Sequence, residues 1–328
     1  MTRGAFLSVG LAAVVALATP ALAQQTPTSE DNASTHSAQW PGLGSGSTPQ
    51  EVQQSLEQGP QLNRNLSALD LVEQQRRLNS ALAGLASQRA GQVDAYVVSI
   101  ALDSDPVFAR EAREVGRVLE RRYNAQGRTL VLAGPDEQDD LPRGSIRSLL
   151  ISLAQVAQKM DADEDVLVLY STSHGLPQGL AYHYEDDGYG VLSPKLLADT
   201  FEELGIEKRL LLISACYSGV FVPAMASDDT AIITASADNR TSFGCQPDND
   251  WTFFGDALIN RAMRKPLPLL MAHAEATRSI ADWESRMRLP ASLPQAHIGS
   301  AAMNWLSAVE ANIPQTATAP TGKPSIGE

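Results

Sequence analysis

His174 and Cys216 are the two residues whose types and positions could carry out chemistry. His174 lies in the segment Ser171-Thr-Ser-His-Gly175, and Cys216 lies further along in Ser214-Ala-Cys-Tyr-Ser-Gly219. A thiolate is a strong nucleophile, and a neighbouring imidazolium lowers the pKa of a thiol and can protonate a leaving group. The pair therefore predicts nucleophilic cysteine chemistry, provided that the fold brings the two side chains together.

Each of these residues also has an ordinary structural interpretation. A histidine at the end of a strand is often only a polar residue, and a cysteine there often packs as a small hydrophobe. The chain has two cysteines, Cys216 and Cys245, and two cysteines in an oxidising compartment suggest a disulfide. A permanent disulfide would remove the nucleophile, whereas a reversible one would act as a redox switch. The sequence leaves the redox state of Cys245 open.

Strands and helices alternate in the pattern of apolar residues that begins near residue 92. The predicted strands cover 95–102, 129–132, 165–170, 209–214 and 230–236, and the predicted helices cover 107–123, 145–160 and 193–205. Continuous apolar strands that alternate with helices are typical of a parallel sheet covered on both faces. His174 follows the third strand and Cys216 the fourth, so both would lie at the carboxyl edge, where sites form in such sheets.

The start of the chain predicts export. Residues 1–23 contain Arg3, an uncharged apolar run and the small-residue motif Ala21-Leu-Ala23, which is the pattern of a cleaved signal peptide. The apolar run is too short for a good membrane span, although an uncleaved anchor is the alternative. We therefore expect a periplasmic or secreted protein without stable membrane insertion after signal cleavage.

Four further segments differ in composition. Residues 24–50 resemble a disordered linker, and residues 51–91 form a helical segment that either packs on the main domain or serves interaction. The main domain covers 92–308, and a loose tail covers 309–328. Whether residues 24–91 form an inhibitory prosegment is left open.

Charge and the remaining motifs exclude several functions. A net charge of −13 argues against nucleic acid as a partner, because the phosphate backbone repels an acidic surface. His183, His273 and His297 have no metal-ligand spacing, and neither a phosphate loop nor a serine-hydrolase elbow occurs. We therefore expect no metal and no organic cofactor. The oligomeric state cannot be inferred.

The two motifs together resemble the signature of a known family. Tyr170-Ser-Thr-Ser-His-Gly175 followed by Ile213-Ser-Ala-Cys-Tyr-Ser-Gly219 is similar to the paired motif of the legumain-type cysteine peptidases, the asparaginyl endopeptidase family of the caspase-like clan. The resemblance extends over roughly residues 93–306 and points to a bacterial exported form. It implies a caspase-like three-layer α/β fold with a mainly parallel central sheet, preceded by a short helical N-terminal segment.

The resemblance also implies roles for individual residues. Cys216 would be the nucleophile and His174 the general acid, and the backbone amides of Gly175 and Cys216 would form the oxyanion hole. The position two before the nucleophile is often acidic in the family, but here it is Ser214. The other residues that match positions flanking the substrate pocket are Ser242 and Asp256. Because Ser214 replaces the acid, the sequence does not predict a preference for cleavage after Asn or Asp.

These observations predict a cysteine endopeptidase that acts on a peptide or protein substrate. The Cys216–His174 dyad would hydrolyse peptide bonds through an acyl-enzyme intermediate. Two alternatives stay open. One is a non-hydrolytic interaction module on the same fold, and the other is a transpeptidase, in which an amine replaces water as the acyl acceptor.

Overall fold

Strands and helices alternate along most of the chain, which a computed structural model describes for residues 39–134 and 141–326. The strands are β1 (Gln61–Asn63), β2 (Ala95–Ala101), β3 (Thr129–Leu132), β4 (Val166–Thr172), β5 (Gly175–Leu176), β6 (Gly179–Tyr184), β7 (Gly188–Leu192), β8 (Arg209–Ser214), β9 (Thr230–Thr234) and β10 (Gln295–Ile298). The α-helices are α1 (Pro49–Glu57), α2 (Ala68–Ala83), α3 (Pro106–Arg122), α4 (Ile146–Ala157), α5 (Pro194–Leu204), α6 (Phe221–Met225), α7 (Leu269–Met287) and α8 (Ala302–Glu310). A π-helix spans Gly255–Ala262, and a short 3-10 helix spans Ser218–Val220.

A six-stranded sheet forms the centre of the fold, in the order β10-β9-β8-β4-β2-β3. All neighbouring strands run parallel except β10, which is antiparallel to β9. Every residue of β2 and of β4 is buried, which explains why their sequences are continuous apolar runs rather than alternating ones. The predicted α/β class with a mainly parallel central sheet is therefore confirmed.

Helices cover both faces of this sheet, so the fold has three layers. On one face α3, α7, α8 and the π-helix share an apolar core with strand residues such as Val168 and Leu212. On the other face α2, α4, α5 and α6 pack against the alternate strand residues, such as Leu169 and Ile213. Neighbouring residues of one strand thus belong to different cores, because successive side chains point to opposite faces.

A second, antiparallel sheet follows directly after His174. Its order is β1-β7-β6-β5, and it was not anticipated from the sequence. The acidic turn between β6 and β7 contains Glu185, whose φ of 47° places it in the left-handed region. Strand β1 comes from the N-terminal segment and pairs with β7, so this segment completes the second sheet.

The helical N-terminal segment packs on the main domain through one end of α2. Leu78, Leu82 and Leu85 are buried in the same core as α4 and α5, whereas Leu69 and Val72 near the start of α2 are exposed. Of the two arrangements that the sequence left open, the structure therefore shows packing against the domain.

The predicted signal peptide, residues 1–23, lies outside the described residues. The predicted linker, residues 24–50, is described from residue 39 onward. The ring of Trp40 packs edge-on against His183 and Tyr189, because a large aromatic ring gains most by burial. Among the described helices, none has the length and hydropathy that a membrane crossing requires.

The C-terminal tail, predicted to be loose over residues 309–328, is also held in place as far as it is described. The indole Nε1 of Trp251 donates to the backbone oxygen of Thr321 at 2.8 Å. The backbone N–H and the hydroxyl of Ser325 both donate to Oδ2 of Asp256 at 3.0 Å. The buried carboxylate of Asp256 needs hydrogen-bond donors, and the tail supplies two of them.

Candidate active site

The ends of β4 and β8 bring His174 and Cys216 to the same edge of the central sheet. The last paired positions of these parallel neighbours are Thr172 and Ser214, and each functional residue lies two positions beyond its strand's last pair. The backbone N–H of Ser173 also donates to the oxygen of Ser214 at 3.2 Å, which extends the pairing past the strand ends. The register thus places both residues just beyond the carboxyl ends of neighbouring strands.

Gly175 brings the backbone after the histidine against the backbone of the cysteine. A Cβ atom added at Gly175 would lie 1.9 Å from the carbonyl oxygen of Cys216 and 3.0 Å from its nitrogen. No side chain can occupy that space, so glycine is required here by a close approach rather than by a special φ angle. The two amides expected to form the oxyanion hole therefore belong to segments that are in direct contact.

Cys216 lies in a sharp turn and is partly buried. The backbone N–H of Ser242 donates to Sγ at 3.2 Å, and the hydroxyl of Ser242 lies 3.7 Å from the same atom. Burial raises the pKa of the Cys216 thiol above its ordinary value, and the N–H of Ser242 opposes that rise because it stabilises the thiolate. The next residue, Tyr217, has a φ of 56°, an uncommon conformation of the kind found at functional sites.

His174 is paired with a carboxylate that the sequence did not single out. Its Nε2 lies 3.2 Å from Oδ2 of Asp105, and its ring packs edge-on against Phe108 with 5.0 Å between the centroids. Burial lowers the pKa of His174, but the hydrogen bond to Asp105 and the charges of Asp103 and Asp105 outweigh it, so the pKa is raised overall. The pair thus favours the imidazolium form that a general acid needs.

Asp105 occupies the N-cap position of α3 without capping that helix. Its side chain makes no cap hydrogen bond, although Asp is among the best N-cap residues, and it contacts His174 instead. One signal in the sequence could have identified it. Asp103 and Asp105 directly follow the first predicted strand, at the same carboxyl edge as the dyad.

Asp103, Asp105 and His174 form the one group in the described part of the chain whose side chains could hold a metal ion. The carboxylates of Asp103 and Asp105 and the imidazole of His174 place ligand atoms within 4.8 Å of one another. Such a donor set would suit a zinc-like ion. Because Nε2 of His174 already contacts Asp105, we assign the group to the orientation of the histidine.

The predicted pocket residues take up different positions. Ser242 contacts the nucleophile, as described above. Ser214 is almost fully buried, and its hydroxyl pairs with Oγ1 of Thr252 at 2.9 Å. Asp256 is fully buried, and its carboxylate accepts hydrogen bonds from Asn260, Arg261 and Ser325. The expectation that Asp256 flanks a pocket is corrected, because both of its carboxylate oxygens are engaged in the core and on the tail.

A buried carboxylate that the sequence did not single out, Glu111, contacts the backbone and side chains next to the site. Oε1 of Glu111 accepts hydrogen bonds from the hydroxyls of Tyr170 at 2.6 Å and Thr172 at 2.8 Å. Its Oε2 accepts from the backbone N–H of Thr252 at 2.6 Å. Burial raises the pKa of Glu111. This residue thereby ties α3 to the end of β4, and nothing in its helical sequence context indicates that role.

Both cysteines are free, so no disulfide joins Cys216 to Cys245. Cys245 packs against an apolar cluster that includes Val107 and Phe108. Burial, followed by the negative charges of neighbouring groups that include the Cys216 thiolate, raises the pKa of Cys245 well above its ordinary value. Cys245 is therefore a protonated, poorly nucleophilic thiol close to the site.

One family model and solved structures resemble parts of this chain. The family model described as the Peptidase C13 family matches residues 149–277, a segment that contains both His174 and Cys216. This match confirms the resemblance to the legumain-type cysteine peptidases and supports a cysteine peptidase as the broad class of function. No curated protein matches the chain. Among solved structures, caspase-1 from Spodoptera frugiperda is similar with a TM-score of 0.40 and 14% identity, over 65% of this chain and 92% of that one.

Proposed function

We propose that this protein is a cysteine endopeptidase that hydrolyses peptide bonds with Cys216 as nucleophile and His174 as general acid and base. The observation that supports this most strongly is the register of β4 and β8, which sets both residues two positions beyond the Thr172–Ser214 pair. A peptide or protein is the substrate, and the proposal requires neither a metal nor an organic cofactor.

The first half of the reaction forms the acyl-enzyme. The reacting form of the dyad is the thiolate–imidazolium pair, in which His174 holds the proton taken from the Cys216 thiol, and the thiolate attacks the carbonyl carbon of the scissile bond. The backbone amides of Gly175 and Cys216 are the donors proposed for the resulting oxyanion. His174 then gives its proton to the leaving amine, the C–N bond breaks, and a thioester to Cys216 remains.

The second half consumes water. His174, now neutral, takes a proton from a water molecule whose oxygen attacks the thioester carbonyl. The C–S bond breaks, the sulfur regains the proton from His174, and the carboxylic acid product leaves. The raised pKa of His174 favours the thiolate–imidazolium pair in the first half, and it makes the neutral imidazole a stronger base toward water in the second half.

The surroundings of Cys216 favour an active site over an inert interaction module. A structural cysteine needs no donor aimed at its sulfur, yet the N–H of Ser242 lies 3.2 Å from Sγ. A structural histidine needs no buried carboxylate either, yet Asp105 pairs with His174 and gives up its helix-capping role. Export to the periplasm or the medium stays part of the proposal and rests on the sequence of residues 1–23 alone.

A peptide library incubated with the purified protein tests the proposal. Mass spectrometry should find cleaved products that are absent with Cys216→Ser and with His174→Ala, while the matched control Cys245→Ser should retain cleavage. Reaction in ¹⁸O-labelled water should place the label in the new carboxylate, and an added amine that captured the acyl group instead would identify a transpeptidase. Absence of any cleaved or transferred product with the unaltered, folded protein would refute the enzyme and leave the interaction module.

A further inference from the structure

A second imidazole–carboxylate pair lies behind His174. His183 on β6 is buried, with 6% of its surface exposed, and its Nδ1 lies 3.8 Å from Oδ2 of Asp103. The backbones are joined as well. The N–H of His183 donates to the oxygen of Leu102, and the N–H of Ser104 donates to the oxygen of His183, each at 2.9 Å. Strand β6 therefore holds the turn that follows β2 on both sides of Asp103.

The contacts continue from this pair to the proposed catalytic histidine. Oδ1 of Asp103 accepts a hydrogen bond from the backbone N–H of Asp105 at 2.9 Å. Oδ2 of Asp105 in turn lies 3.2 Å from Nε2 of His174. The charge of Asp103 also contributes to the raised pKa of His174. A continuous path of contacts thus joins His183 to His174 through two carboxylates.

Aromatic rings fix the imidazole of His183 in this path. Its ring centroid lies 4.9 Å from that of Trp40, which meets it edge-on, and 4.7 Å from that of Tyr189. Arg64 holds Tyr189 in turn, since its Nη2 donates to the phenol oxygen at 3.0 Å and its guanidinium lies over the ring. Trp40 and Arg64 both precede the main domain, so the N-terminal segment supplies two sides of this arrangement.

We propose that His183, held by Trp40 and Tyr189, is a positioning residue that fixes Asp103 and through it the orientation of Asp105 against His174. The inference rests on the proposed function and deepens it. It gives residues 40–64 a supporting role in catalysis, in contrast to the inhibitory prosegment that the sequence left open. Their removal would disorganise the site rather than release it.

His183→Phe separates this role from simple packing. The phenyl ring can occupy the same space between Trp40 and Tyr189 but has no nitrogen to face Asp103. We expect kcat to fall by about tenfold to a hundredfold while KM stays nearly constant, because small misplacements of a catalytic group have effects of that order. The alkaline limb of the kcat/KM profile should move to lower pH, since a loosened Asp105 no longer raises the pKa of His174.

Trp40 provides the second arm of the experiment. Trp40→Ala should change kcat and the alkaline limb in the same direction, and Trp40→Phe should restore most of both. Tyr182→Leu is the matched control. Tyr182 precedes His183 on β6, but its side chain points to the other face of the strand and packs in the core formed by α2, α4, α5 and α6. Its melting temperature should fall at least as far as that of His183→Phe without any movement of the alkaline limb.

An NMR titration of His174 gives a readout that does not depend on turnover. The proposal predicts a lower pKa of His174 in His183→Phe and an unchanged one in Tyr182→Leu. An unchanged pKa of His174 in a folded His183→Phe variant, or an equal fall in Tyr182→Leu, would overturn the positioning role. If the unaltered protein cleaves no peptide yet these pKa changes occur, the proposed peptidase function fails while the positioning role stands.

Discussion

Asp105→Asn is the substitution that isolates the electrostatic part of the site. Asparagine has almost the same shape as aspartate and removes only the negative charge that faces His174. The Asp105 side chain makes no cap bond to α3, so the exchange does not remove a cap. The expected effect therefore falls on His174. The melting temperature at pH 5 to 8 should change only by the amount that depends on the protonation of this histidine.

The magnitude follows from the contact itself. A hydrogen bond to a charged group contributes about 1.5–3 kcal/mol. The side chain of His174 is 45% exposed, so solvent screening places the contact near the lower end of that range. A loss of about 1.4 kcal/mol corresponds to a tenfold change in rate, and we expect kcat/KM near neutral pH to fall by about that factor.

The pH dependence gives the sharper test of Asp105→Asn. The pKa of His174 is raised in the folded protein, so the stability it contributes is complete below its ordinary pKa of 6.5 and is lost as the pH rises through the raised value. In the variant, the alkaline limb of kcat/KM should move to lower pH and this part of the stability should shrink. An unchanged limb together with unchanged kcat/KM would refute the assignment of Asp105 to His174.

Three further substitutions test separate parts of the structure. Gly175→Ala should lower kcat/KM by at least about a hundredfold, because the added Cβ would meet the Cys216 carbonyl and displace the backbone of the site; normal kinetics would contradict the close approach. Asp256→Asn should lower the free energy of unfolding by about 1–3 kcal/mol and make the tail near Ser325 sensitive to proteases, while kcat/KM is retained. An altered substrate preference would instead show that Asp256 takes part in the substrate pocket. Cys245→Ser should have the kcat/KM of the unaltered protein, with and without a reducing agent. A marked loss of kcat/KM in this variant would mean that Cys245 takes part in the chemistry.

The inner strands of the central sheet, β2, β4, β8 and β9, were predictable because nearly every residue in them is buried. The outer strand β10 is exposed or only partly buried and was not predicted. Burial of every position forces an uninterrupted apolar run such as that of β2 or β4, and such runs are visible in the sequence. The sequence left open whether β4 and β8 are neighbours; the structure pairs them, although β5, β6, β7 and α5 lie in the connection between them. The positions of His174 and Cys216 depend only on where these strands end, so they too were predictable.

The second sheet was not predictable for the opposite reason. Two of its strands are very short, since β5 has two residues and β1 three. Strand β1 comes from the N-terminal segment, and its pairing with β7 is not encoded in local sequence patterns. Trp40 illustrates this, because its burial against His183 joins residues that are far apart in the sequence.

Asp105 and Asp256 show where residue types alone mislead. Asp105 looks like an ordinary N-cap beside Pro106, and only the three-dimensional structure shows that its carboxylate turns to His174. Asp256 matches a pocket position of the family, yet here its carboxylate is turned into the core, where the tail and Arg261 satisfy it. The direction of a side chain depends on tertiary partners, and a sequence motif does not contain them.

The most direct test of the central claim is the rate at which Cys216 reacts with a peptide electrophile. The purified protein would be labelled, and the modified residue would be mapped by mass spectrometry, in the unaltered chain and in His174→Ala. We expect rapid modification of Cys216, little modification of Cys245, and a large loss of the Cys216 rate in the variant. A Cys216 that reacts equally slowly in both proteins, or that is found bonded to Cys245 after mild reduction, would contradict the assignment of Cys216 and His174 as a catalytic dyad.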